Sequence, residues 1–231
     1  MIDADLINRI PALTSLPVEA KSDLARVARE VRFESGQRIF TLFRPPQDII
    51  LVLDGLAKLS GVAMNGIERI IYVFRPGDIV GSRVLLDKSP ESSYEIVAMR
   101  KVFGAAISKP EFVEVGRRHP DLLVAVAGEF SRRLDHMTHR VLAAMSVEVP
   151  VRLSQLLLDF AGLGTEAEGG FVPLAYSLTH ETMAQIIGAS RPHTSTVLRD
   201  LEQVGAVKRR SRQGLLVHPD RLRGIVETES I

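Results

Sequence analysis

Seven apolar residues, Leu123, Ala127, Phe130, Leu134, Met137, Val141 and Ala144, recur at intervals of 4, 3, 4, 3, 4 and 3. That spacing is a heptad seam sustained over about three heptads, and a helix that carries one needs a second surface to cover it. The stripe could pack on its own chain. The small Ala127 and Ala144 let another helix approach closely, so the spacing predicts a homodimeric coiled coil. The seam opens after Pro120 and is closed before Pro150, and the sequence on its two sides has different periods.

Residues 1–30 read as two short helices, the second opening at Pro17 with Leu24, Val27 and Ala28 on one face. From Val31 to Ile107 short β-rich runs (QRIFTLF, DIILVLDG, LAKLSGVAM, IERIIYVF, YEIVAM) alternate with turn signals at Gly36, Pro45-Pro46, Asp54-Gly55, Asn65-Gly66 and Pro76-Gly77. Such punctuation predicts an antiparallel sandwich or barrel, with Asn65-Gly66 as the best hairpin turn. After Pro110 the chain turns helical, and Pro150 is expected to end the long helix. Beyond it Val151–Leu163 reads as a helix, GLGTEAEGG as a loop and FVPLAYSL as extended. The whole is α+β, divided as 1–118, 119–147 and 148–231.

Composition excludes several functions. The 29 Lys and Arg nearly cancel 28 Asp and Glu, leaving +1, so a nucleic-acid partner must show itself in a local patch. There is no cysteine, which removes disulfides, thiolate zinc sites, cysteine nucleophiles and cysteine-ligated iron–sulfur clusters. A reducing cytoplasm fits that usage. The longest apolar run, Leu122 to Gly128, is far too short to cross a bilayer, and the acidic start MIDADLINRI does not resemble a secretion signal. All six histidines lie at or beyond His119, so the first half has no imidazole for a metal, a haem or general-base chemistry.

The local patch lies near the carboxy terminus. Thr179 is placed to cap a helix with Glu181 in its first turn and Met183, Ala184, Ile186 and Ile187 on its apolar face. Gly188 breaks that helix. Ser190 caps a second one, with Pro192 in its first turn and Thr194, Val197, Leu198, Leu201 and Val204 facing inward. This is helix-turn-helix geometry. Its outer face carries Arg191, Pro192, Ser195, Thr196 and Arg199, with His193 at the edge. Between Gly188 and Arg212 six basic residues (Arg191, Arg199, Lys208, Arg209, Arg210, Arg212) oppose Asp200 and Glu202, a local +4. AVKRRSRQGLLVH then reads as a hairpin turning at Gly214, a wing whose cations hold phosphates while the helix reads base edges. The candidate DNA-binding residues are therefore Thr179, Ser190, Arg191, Pro192, His193, Ser195, Thr196, Arg199, Lys208, Arg209, Arg210 and Arg212.

With IIGASRPHTSTVLRDLE as recognition unit, RPGDIVG as a barrel motif, and RRHPDLL and SRRLDH in the long helix, the chain resembles the catabolite activator protein and fumarate–nitrate regulator (CRP/FNR) superfamily of bacterial transcription factors over nearly its whole length. The resemblance implies a jelly-roll β-barrel sensor at 1–118, a coiled-coil dimerisation helix at 119–147, and a winged helix at 148–231. It also implies a palindromic operator, a homodimer, RNA polymerase as partner, and no enzymatic activity. An effector would sit in the barrel near the long helix, at Gly81, Ser82, Arg83, Ser92, Ser93, Met137 and Thr138.

The departures from the family pattern narrow this. Members that bind cyclic AMP carry a glutamate after the cassette glycine and an arginine that pairs with the cyclic phosphate. Here Gly81 and Ser93 remain, but Ser82 and Ser92 stand at those two positions, so the phosphate loses its charge-assisted anchor. The resemblance then implies a different small effector, or none; the alternative is a cyclic-AMP- or haem-responsive regulator, with His136 and His139 as the residues that could meet haem or a metal. Pro192 and Thr196 replace the family's base-reading glutamate and arginine, which implies a changed half-site with Arg191 retained. Two rivals compete. A metal-dependent jelly-roll enzyme needs clustered histidines on its barrel strands, and residues 1–118 have none, while a cyclic-nucleotide subunit without a DNA role leaves the wing unexplained.

Overall fold

The run DIILVLD at 48–54 sets the layering of the first half of the chain in the computed structural model, which describes residues 2–41, 47–64, 66–85, 94–161, 168–210 and 214–228. Ile49, Leu51 and Leu53 on one side join a helix-covered core, and Ile50 and Val52 on the other face a second sheet. A strand buried on both faces must be apolar throughout, which is why this run does not alternate.

The chain divides into two compact units, Met1–Met137 and Thr138–Ile231. The first opens with α1 (Ala4–Ile7), a short 3-10 turn and α2 (Val18–Val27). Eight strands follow: β1 (Arg29–Phe33), β2 (Arg38–Phe40), β3 (Asp48–Asp54), β4 (Ala57–Val62), β5 (Glu68–Phe74), β6 (Ile79–Val80), β7 (Tyr94–Ala98) and β8 (Val102–Ser108). They form two antiparallel sheets, ordered β1-β8-β3-β6 and β2-β7-β4-β5, in a jelly-roll arrangement. The β4–β5 hairpin falls where Asn65-Gly66 predicts it, with Val62 opposite Glu68 and Gly66 at φ +77; Asn65 itself lies outside the described residues. Pro45, Pro46 and the stretch 86–93 lie outside them too.

One boundary differs from expectation. The chain leaves α2 at Val27, and the first strand begins at Arg29, two residues before the β-rich stretch expected from Val31. It is held by pairing with β8, Arg29 opposite Ala106 and Phe33 opposite Val102, 77 and 69 residues away.

Helix α3 (Lys109–Arg118) starts at a capping box in which Ser108 and Glu111 satisfy each other's backbone N–H, with Pro110 in the first turn. Helix α4 (Pro120–Ser146) carries the heptad seam, and the division between the units falls inside it. Leu122 and Val126 are buried in the first unit's core.

In the second unit, Pro150 does not lie in a linker. It sits in the first turn of α5 (Val149–Ala161), where a missing N–H costs nothing. The extended reading of 171–178 reduces to β9 (Val172–Pro173), which pairs with β11 (Gly214–Val217). Then come α6 (His180–Ile187), α7 (Arg191–Gln203), β10 (Val207–Arg210), β11 (Gly214–Val217) and α8 (Pro219–Thr228). β10, β11 and β9 make a three-stranded sheet, with Arg210 opposite Gly214. No described helix is long and apolar enough to cross a membrane.

Candidate nucleic-acid interface

The helix pair is built by local chemistry that the sequence displays. Thr179 Oγ1 accepts from the Thr182 N–H at 3.0 Å and caps α6. Gly188 ends that helix at φ +72, a conformation glycine adopts without a Cβ penalty. Ser190 Oγ accepts from the His193 N–H at 3.3 Å and starts α7, with Pro192 in its first turn. Met183, Ala184, Ile186 and Ile187 on one helix and Thr194, Val197, Leu198 and Leu201 on the other are buried. Val204 is not, contrary to its predicted inward position: it is the C-cap of α7 and 60% exposed, because the helical period ends one residue before it.

The outer face is open. Arg191, Pro192, His193, Thr196 and Arg199 are exposed, and Ser195 is half-buried between Arg191 and Arg199, one helical turn from each. On β10, Lys208 and Arg209 are exposed. They are held differently: Lys208 Nζ lies 4.1 Å from the centre of the Phe171 ring, while Arg209 Nε pairs with Glu202 at 2.7 Å. Glu202 therefore neutralises one wing cation within the protein. Arg210 ends the strand, and Arg212 lies outside the described residues.

Three positions in this region carry no sequence signal. Arg140 donates to the Ile186 carbonyl and Arg152 to the Ile187 carbonyl at 2.5 Å, so two guanidinium groups cap the C-terminus of α6. Both place positive charge at the negative end of the helix dipole. His180, the first residue of α6, meets Ser195 of α7, its Nδ1 2.8 Å from the serine oxygen.

The expected effector residues divide. Gly81, at φ +101, precedes a 3-10 turn that contains Ser82 and Arg83. Ser82 is exposed. Arg83 donates to the Tyr94 hydroxyl at 3.3 Å and lies over that ring. Ser92 and Ser93 lie outside the described residues; on α4 Met137 is half-buried and Thr138 exposed. His136 meets the edge of the Tyr72 ring. Among the described residues no group of three or more His, Asp or Glu could hold a metal.

The seam of α4 is largely open, with Leu134 at 65% and Val141 at 59% exposure. Phe130 is different, half-buried against the first unit's own core. Beside it Arg133, whose side chain is only 10% exposed, pairs with Glu129 at 3.2 Å and lies 5.0 Å from the ring centres of Tyr72 and Phe74. A Glu and an Arg four apart on a helix read as a solvated pair, so the sequence hides this buried cation. Burial pushes the nearby Asp78 carboxyl up, against the Arg75 N–H and the Arg133 charge, and it pushes the Tyr72 hydroxyl up as well.

Two segments match known families: residues 30–119 the cyclic nucleotide-binding domain and residues 151–225 the Crp-like helix-turn-helix domain. The chain is 22% identical over 218 residues to the CRP-like cAMP-activated global transcriptional regulator of Mycobacterium tuberculosis, covering 94% of this chain and 97% of that one. It is 28% identical over 178 residues to the cyclic AMP receptor protein of Thermus thermophilus, covering 76% and 78%. Among solved structures, the c-di-GMP-responsive global regulator CLP of Xanthomonas campestris superposes with a TM-score of 0.72 at 18% identity, over 87% of this chain and 99% of that one. A CRP/FNR-family transcriptional regulator of Thermus thermophilus gives 0.69 at 24% identity, over 86% and 98%.

Proposed function

From its membership of the CRP/FNR family of transcription regulators, to which the chain belongs, we propose that it binds a palindromic operator as a homodimer, reading bases with α7 and holding phosphates with the wing. The observation that carries this reading is the exposed stripe of Arg191, Thr196 and Arg199 beside Lys208 on an otherwise nearly neutral chain. Arg191 and Arg199 supply the strongest contacts, Thr179 and Ser190 fix the backbone around them, and Pro192, His193 and Ser195 shape the edge that meets the groove. Arg209, Arg210 and Arg212 add phosphate contacts, that of Arg209 weakened by Glu202. With Pro192 and Thr196 at two reading positions, the half-site differs from that of relatives carrying a glutamate and an arginine there.

Dimerisation uses the seam of α4, where Leu123, Leu134 and Val141 expose apolar surface that a second copy would cover. Covering one leucine side chain is worth about 1.5–3 kcal/mol. The functional division is then a sensor at 1–118, a dimerisation helix at 119–147 and a DNA-binding domain at 148–231, acting in the cytoplasm with RNA polymerase. The regulating signal is a small molecule other than cyclic AMP, or none: Ser82 offers no carboxylate, and Arg83 is engaged with Tyr94.

Selection of bound sites from a random DNA pool, followed by gel shifts across salt concentrations, tests the reading. The expected result is a palindrome with a non-TGTGA half-site and a log–log salt slope of about −0.9 for each neutralised phosphate. Absence of binding at low salt refutes it. Calorimetric titration with cyclic AMP is expected to give no heat of binding, and micromolar binding would overturn the effector assignment.

A further inference from the structure

We propose that His180 is a specificity-determining positioning residue: its ring holds the Ser195 hydroxyl so that Ser195 meets DNA as a hydrogen-bond acceptor and selects a base with an exocyclic amine. The inference rests on the reading of α7 as the recognition helix. Three consecutive hydroxyls occur in that helix, and two of them donate back to the helix's own carbonyls. Thr194 Oγ1 donates to the Ser190 carbonyl at 2.9 Å and Thr196 Oγ1 to the Pro192 carbonyl at 3.3 Å. Donation to the carbonyl four residues back is the usual fate of a hydroxyl within a helix. Ser195 departs from it. Its oxygen lies 2.8 Å from Nδ1 of His180, a residue of the other helix of the pair. Arg191 and Arg199 flank it one turn away on either side, which places this hydroxyl in the row that faces the groove.

A hydroxyl has one proton and two lone pairs, and a neutral imidazole has one nitrogen of each kind. In the Nε2–H tautomer, the more stable one for a free histidine side chain, Nδ1 is an acceptor, so Ser195 spends its proton on it. What remains toward the groove is a lone pair. In the major groove adenine N6 and cytosine N4 are donors, whereas guanine O6 and N7 and thymine O4 are acceptors. An unrestrained serine rotates and serves either kind. His180 turns it into a reader of amines.

The test is quantitative site selection on the full-length protein. Wild type is expected to prefer adenine or cytosine at one half-site position by about fivefold, the worth of a single net hydrogen bond. Ser195→Ala and His180→Ala are each expected to flatten that position alone, without altering the salt slope or the melting temperature. The double variant should lose nothing more, and His180→Asn, whose amide oxygen can take the serine proton, should restore the preference. If His180→Ala keeps the preference while weakening all sequences alike and lowering the salt slope by about 0.9, the ring is a phosphate contact and the inference fails. If wild type binds no DNA, the recognition-helix reading itself has failed, which the His180 variants cannot mimic.

Discussion

The stretch around Gly81 and the helix-turn-helix share a backbone device and differ in what surrounds it. Each places a glycine at positive φ, Gly81 at +101 and Gly188 at +72, to turn the chain sharply. Beyond Gly188, the cations Arg191 and Arg199 are exposed. Beyond Gly81, Ser82 is neutral and exposed, and Arg83 is taken up by Tyr94. A frame survives wherever the fold needs it, whereas a binding function survives only in the side chains hung on the frame. Similarity to a cyclic nucleotide-binding domain therefore speaks for the barrel, and similarity to the Crp-like helix-turn-helix speaks for the helix pair and its wing.

The sharpest way to break this comparison is to attack the two glycines. A Cβ at Gly81 would lie 2.6 Å from the Asp48 carbonyl oxygen, whereas one at Gly188 meets nothing nearer than an Arg152 nitrogen at 3.6 Å. Gly81→Val is expected to cost about 3 kcal/mol or more in thermal or denaturant unfolding, from strain and overpacking together. Gly188→Val, with the conformational penalty alone, should cost about 1–2 kcal/mol. Equal losses would mean that the close approach at Gly81 is not part of the frame.

At the next level, side chains outside the frame should matter in one region only. Arg191→Ala is expected to lower specific DNA affinity by about 1–3 kcal/mol with an unchanged melting temperature. Ser82→Ala, at an exposed position, should leave stability within about 0.5 kcal/mol and DNA binding unchanged. Smaller again is the cap: Ser190→Ala should destabilise the second unit by about 1 kcal/mol, measured by chemical denaturation. The finest distinction lies within the wing. Lys208→Ala should reduce the salt slope of DNA binding by about 0.9, and Arg209→Ala by less, since Glu202 already offsets its charge.

Much of the interface was legible because its signals are short in sequence. A cap acts over three residues, as Thr179 and Ser190 do, and the helical period places Met183 and Leu198 inward whatever surrounds them. The limits of such reasoning show at Val204, where the helix ended before the period did, and at Arg29 and Glu30, where pairing with a distant strand carried the extended shape two residues ahead of the apolar alternation.

By itself the sequence determined the glycine-punctuated sandwich, the heptad seam, the capped helix pair and the local excess of positive charge. The tertiary structure decided what individual polar side chains do. Arg133 reads as a solvated helix residue and is buried beside Tyr72 and Phe74. Arg140 and Arg152 read as surface cations and cap α6 from 46 and 35 residues away. His180 reads as an ordinary first-turn residue and holds Ser195 across 15 residues. The physical reason is that caps and periods are fixed by covalent neighbours, while the partner of a long polar side chain is chosen by whichever distant segment the folded chain brings within reach.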